Sequence, residues 1–134
     1  MDRYATLSLG PGRRAPRLAR RYVADTLEAW AVEAQDIEAA ELVVSELVTN
    51  AVLHAPETTS VTLELVLTDD AVRVMVSDGS SHEPRQPWSQ APWAAQGGRG
   101  VALVDTIADR WGTEPRSPRG KTVWCELKAE PARP

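Results

Sequence analysis

The chain has 134 residues, a formal net charge of −4 and one cysteine, Cys125. That length suits one domain with its own hydrophobic core, here taken as 1–134. A lone cysteine excludes an internal disulfide and a cysteine-based metal cluster. No apolar run approaches the roughly 20 residues of a membrane span. Met1 to Gly10 has no basic region followed by an apolar core, so a cytoplasmic, reducing setting is expected.

Arg3 to Leu9 alternates and predicts a short strand, with Gly10-Pro11-Gly12 as the turn after it. Pro16 suits the first turn of a helix. Leu18, Tyr22, Val23, Leu27 and Trp30 recur at helical spacing, so a helix is expected over about 15–32. Arg3, Arg13, Arg14, Arg17, Arg20 and Arg21 crowd this end, whereas Tyr22 to Val72 holds no Lys or Arg against eleven acids. With neither zinc ligands nor a DNA-binding motif beside them, these arginines are read as facing a protein partner or solvent rather than nucleic acid.

A second helix is expected from about Asp36, its N-cap candidate, to Pro56. Ile37, Ala40, Val44, Leu47, Val48, Ala51 and Ala55 form its predicted core face, and Glu46, Asn50 and His54 step along the opposite stripe. Taken alone, Glu46 and Asn50 read most simply as a solvated edge. The sharper alternative is a ligand site, with a carboxylate able to act as general base and an amide oxygen suited to Mg²⁺. His54 is read as a helix cap or neutral core histidine.

Val61 to Thr68 and Ala71 to Ser77 alternate around Asp69-Asp70 and predict a hairpin with one apolar side. Gly79 to Arg99 has no periodicity and carries Pro84, Pro87, Pro92, Trp88 and Trp93. So long a structureless stretch predicts a functional lid over 79–99. A helix is expected from Gly100, closed by Trp111-Gly112, then a turn over Pro115 to Pro118, a strand over Thr122 to Leu127 and a loose tail over 129–134. The expected fold is a two-layer α/β sandwich: a mixed, mostly antiparallel sheet covered on one face by about three helices.

Three patches could carry chemistry: Glu46/Asn50/His54, Asp78-Gly79-Ser80 at a strand end, and Gly97-Gly98-Arg99-Gly100 before a helix. Glycines at a helix start let backbone N–H groups approach an anion. The Walker and Rossmann glycine spacings are absent.

In this order, Glu-Leu-Val-x-Asn-Ala-x-x-His-Ala, Asp78-Gly79, Gly98-x-Gly100 and Gly120-Lys-Thr122 resemble the ATP-binding domain of gyrase, heat-shock chaperones, sensor histidine kinases and mismatch-repair ATPases. Gly-Gly-Arg-Gly-x-x-Leu-Val-x-x-x-Ala-Asp-Arg-Trp-Gly and Gly-Lys-Thr-Val-Trp are similar to its small bacterial branch, the anti-sigma-factor serine/threonine kinases and their single-domain relatives. The resemblance covers about 15–128 and implies a Bergerat-type fold. It implies Asn50 as the Mg²⁺ ligand that ties the metal to ATP, and Glu46 as general base toward a substrate hydroxyl. It further implies Asp78 as acceptor for the adenine amino group with Gly79 supplying the bend beside it, Gly98 and Gly100 with Arg99 at the phosphates, and Thr122 supporting the base.

The implied function is a protein kinase acting on Ser or Thr of an antagonist protein, or sequestering a sigma factor, with a homodimer as the suggested assembly. A non-catalytic ATP-dependent switch and a nucleotide-free interaction module are the alternatives. Ser80 and His82 depart from the family's glycines. With no phosphoacceptor-histidine helix pair ahead of the domain, a complete sensor histidine kinase is not expected.

Overall fold

The computed structural model describes residues 2–54, 60–79, 108–116 and 120–129. Two helices and five strands run in the order β1 (Arg3–Leu9), α1 (Ala15–Ala29), α2 (Ala34–His54), β2 (Val61–Leu67), β3 (Ala71–Asp78), β4 (Arg110–Pro115) and β5 (Lys121–Lys128). The strands form one sheet in the order β1-β2-β3-β5-β4. Every pairing among them is antiparallel.

The strands of the hairpin are built by period-two alternation. Val61, Leu63, Leu65 and Leu67 of β2 and Val72, Val74 and Val76 of β3 are buried on one face, joined by Val123, Cys125 and Leu127 of β5. Helix α2 lies over β3 and β5, and α1 packs along α2 and reaches β1. From α2 the core takes Ala40, Val43, Val44, Leu47, Val48 and Ala51. Val43 extends the expected core face, so the stripe of Glu46 and Asn50 borders the core instead of lying opposite it. Arg20 ties the helices together, its Nη1 donating to Ser45 Oγ at 2.8 Å.

Helix α1 ends without glycine. Ala31 takes a φ of 60°, Val32 N–H donates to Leu27 O and Ala31 N–H to Glu28 O, each at 3.0 Å. This is a Schellman ending. Leu27 and Val32, both buried, close it with an apolar contact.

The expected helix end at Trp111-Gly112 is corrected. Both Trp111 and Gly112 lie in β4, an edge strand whose ladder runs from Arg110 opposite Glu126 to Pro115 opposite Lys121. Gly112 serves close packing there: a Cβ on it would stand 2.8 Å from Trp124 Cζ2. Pro115 sits at the end of an edge strand, where a missing N–H costs least. The expected third helix, over residues 101–107, and the lid beyond Gly79 lie outside the described residues.

The other face of the sheet carries cross-strand polar pairs. Tyr4 donates to Glu64 at 2.6 Å, Arg110 pairs with Glu126, and the Arg73 guanidinium lies 4.5 Å from the Trp124 ring centroid. Arg73 Nε is buried there without a hydrogen-bond partner, and the ring face supplies its electrostatic contact.

Candidate functional site

Two parts of the site are described: the middle of α2, and the ends of β3 and β5.

On α2, residues four apart share a stripe, which sets Glu46 and Asn50 one turn from each other. Asn50 is buried, with 6% of its surface exposed, at the margin of the core face. Glu46 is half-buried, and loss of solvent raises its carboxyl above the ordinary glutamate range. A carboxylate made more basic in this way is better suited to take a proton near neutral pH. His54 is the last residue of α2.

At the sheet end, the alternation that buries Val72, Val74 and Val76 carries on to Asp78, which is 3% exposed. Directly across from it in the β3–β5 register stands Lys121, 4% exposed. The Lys121 ammonium lies 3.0 Å from Asp78 Oδ2 and 3.3 Å from Oδ1. Gly79, next in the chain, is a partly buried bend.

Gly120 makes this approach possible. Its φ is +111°, and a Cβ built on it would stand 2.3 Å from the Asp78 carbonyl oxygen. Only a residue without a side chain fits there. Arg116 N–H donates to Gly120 O at 2.9 Å and holds the strands' approach from the β4 side.

Thr122 follows Lys121 in β5 and stands opposite Ser77 of β3. Consecutive strand residues face opposite ways, and Thr122 Oγ1 lies 2.7 Å from Ser77 Oγ, on the face away from Asp78 and Lys121. Lys121 is the β5 residue that pairs with Asp78. Its signal was present in the sequence: counting back by twos from Leu127, Cys125 and Val123 reaches Lys121. Gly98, Arg99 and Gly100 lie outside the described residues.

Among the described residues no group of three or more His, Cys, Asp or Glu could hold a metal. Asn50, buried at the margin of the α2 core face, carries an amide oxygen, a hard donor of the kind that fits Mg²⁺, which keeps most of its shell as water and phosphate oxygen and needs one or two protein ligands. No described helix is long and apolar enough to cross a membrane.

A family model described as "Histidine kinase-like ATPase domain" matches residues 13–127. An uncharacterized protein of Streptomyces coelicolor is 37% identical over 84 residues, covering 62% of this chain and 79% of that one. Among solved structures, the RsbU and RsbW domains of Rv1364c from Mycobacterium tuberculosis align with a TM-score of 0.71 at 21% identity. That match covers 98% of this chain and 34% of the other, so the chain spans about a third of that structure's length.

Proposed function

The chain belongs to the histidine kinase-like ATPase domain family, and from that premise we propose that it binds Mg-ATP and transfers the γ-phosphate to a Ser or Thr hydroxyl of a protein partner. The observation that carries the proposal is the α2 pair: a glutamate made more basic by burial, one turn from a buried asparagine.

In this reading Glu46 accepts the proton of the attacking hydroxyl. Asn50 offers its amide oxygen to Mg²⁺, which when bound neutralises phosphate charge. Asp78 accepts from the base amino group. Gly98, Gly100 and Arg99 meet the phosphates as the lid over 79–99 closes. Phosphoryl transfer needs mainly positioning and charge stabilisation, so this small set suffices. The partner is a sigma factor, an antagonist of one, or both, and the protein acts as a homodimer.

A second reading, a nucleotide-dependent switch without transfer, is favoured by one feature: both Asp78 oxygens are engaged by Lys121, next to a lid that carries Ser80 in place of glycine.

Titration calorimetry with Mg-ATP tests nucleotide binding, and a flat trace would remove both readings. Labelled ATP with candidate antagonists separates transfer from switching. Glu46→Gln is expected to abolish transfer and spare binding; unchanged transfer would remove Glu46 as the base. Asn50→Ala is expected to weaken binding in Mg²⁺ far more than in EDTA, and equal losses would remove its metal role.

A further inference from the structure

Lysine is among the residues least often buried without a reason, and Lys121 is almost completely so, against an equally buried Asp78. A pair this desolvated roughly breaks even in stability, because removing two charges from water cancels much of their attraction. Its chemistry is the better guide to its use. On the reading above, it stands where the nucleotide base would be recognised.

A lone carboxylate in that place offers only acceptors. It suits a 6-amino purine and opposes a 6-oxo purine, whose carbonyl would face it oxygen to oxygen. Here the acceptors come with a donor 3.0 Å away. A carboxylate can accept about four hydrogen bonds and an ammonium can donate three, so the contact with each other does not by itself exhaust either group. Adenine presents an amino donor beside the N1 acceptor, which meet Asp78 and Lys121 in turn. A 6-oxo purine presents O6 beside N1–H, which meet Lys121 and Asp78 in the reverse order.

We propose that Lys121 is a specificity-determining residue that lets the base site accept 6-oxo as well as 6-amino purine nucleoside triphosphates. The proposal rests on the nucleotide-binding reading above and extends it.

The test compares Mg-ATP with Mg-ITP, which swaps the 6-amino group for a 6-oxo group and adds no 2-amino group. Both are titrated into the wild-type protein, Lys121→Thr and Lys121→Arg. Wild type is expected to bind the two within about threefold of each other. Lys121→Thr leaves the carboxylate alone and is expected to disfavour ITP by at least about tenfold, and Lys121→Arg, which keeps a donor, to stay near wild type. ATP binding with ITP disfavoured about thirtyfold or more in the wild type would overturn the inference alone. So would a ratio untouched by Lys121→Thr. The wild-type arm decides even if Lys121→Thr, which leaves the buried Asp78 carboxylate without its ammonium, does not fold. Silence toward both nucleotides would remove the nucleotide site itself.

Discussion

Replacing Gly120 by alanine tests the joint on which the site is built. The perturbation has two components. A φ of +111° lies in a region that L residues rarely adopt, at a cost of about 1–3 kcal/mol. The added methyl would stand 2.3 Å from the Asp78 carbonyl oxygen, well inside the 3.0 Å that real Cβ atoms respect. That oxygen is backbone at the end of a paired strand and cannot swing aside as a side chain would. Shifting it resembles overpacking, about 1–3 kcal/mol more. The expected loss is therefore about 2–6 kcal/mol, a large share of the roughly 5–15 kcal/mol that holds a domain folded. In a urea titration read by tryptophan fluorescence, with a slope of about 1–3 kcal/mol per molar, the midpoint should fall by about 0.7 M or more. Gly10→Ala is the control: nothing lies within 4 Å of its Cβ position, and its midpoint should not move. If Gly120→Ala unfolded with the wild-type midpoint, the close approach of β3 and β5 described above would be wrong. The variant should also bind nucleotide more weakly, since Lys121 follows Gly120 directly.

Ala31→Gly is expected to stabilise the fold by about 0.5–1 kcal/mol, because the left-handed position after α1 costs alanine about 1–2 kcal/mol and glycine loses part of that gain as unfolded-state entropy; a lower thermal midpoint would refute the Schellman ending. Glu46→Gln is expected to be more stable than wild type at pH 7, with the gap closing as the pH falls through the glutamate range. The sign follows from burial: it raises the folded carboxyl above its unfolded value, so the stability linked to its proton is present below the unfolded value and is lost as pH rises through the folded one. Thermal melts of both proteins at pH 4 and pH 7 check it, and a gap that widened toward acid would reverse the assignment.

Six of the seven described elements are legible in the sequence because each puts apolar residues into a face that the fold buries. In β2 and β3 the period of two is nearly unbroken, and in α2 the apolar stripe is wide. Strand β4 is not legible for the same reason. It reads Arg-Trp-Gly-Thr-Glu-Pro and is mostly exposed, an edge held by its ladder to β5 and by Trp111 packing on the core. A strand stabilised by backbone hydrogen bonds leaves little hydrophobic pattern to read. Gly112 then looks like a helix cap, although its missing Cβ makes room for Trp124, a neighbour twelve residues away that only the fold supplies. Glu46 and Asn50 were legible as a pair, but the depth of Asn50 was not, because it depends on Val43 turning inward. Lys121 as the partner of Asp78 was not legible from the motif, although strand phase in β5 points to it.

That phase also explains why the site is where it is. From Val72 through Val74 and Val76 to Asp78, and from Leu127 through Cys125 and Val123 to Lys121, each strand keeps one face toward α2 and changes from apolar to charged only at its last step. The interior portion is well enough sealed that burial pushes the Cys125 thiol up to about 12, leaving it an inert apolar neighbour. Asp78 and Lys121 therefore stand on strands locked by a packed core, as Asn50 stands on a helix locked by the same core. Groups held by such elements lose little freedom on meeting a ligand and keep their directions. An aspartate and a lysine on a mobile loop would collapse onto each other or onto water. Set at the end of two paired strands with a glycine pressed against the backbone, they are held at a fixed spacing, which is what the proposed reading of a purine edge requires.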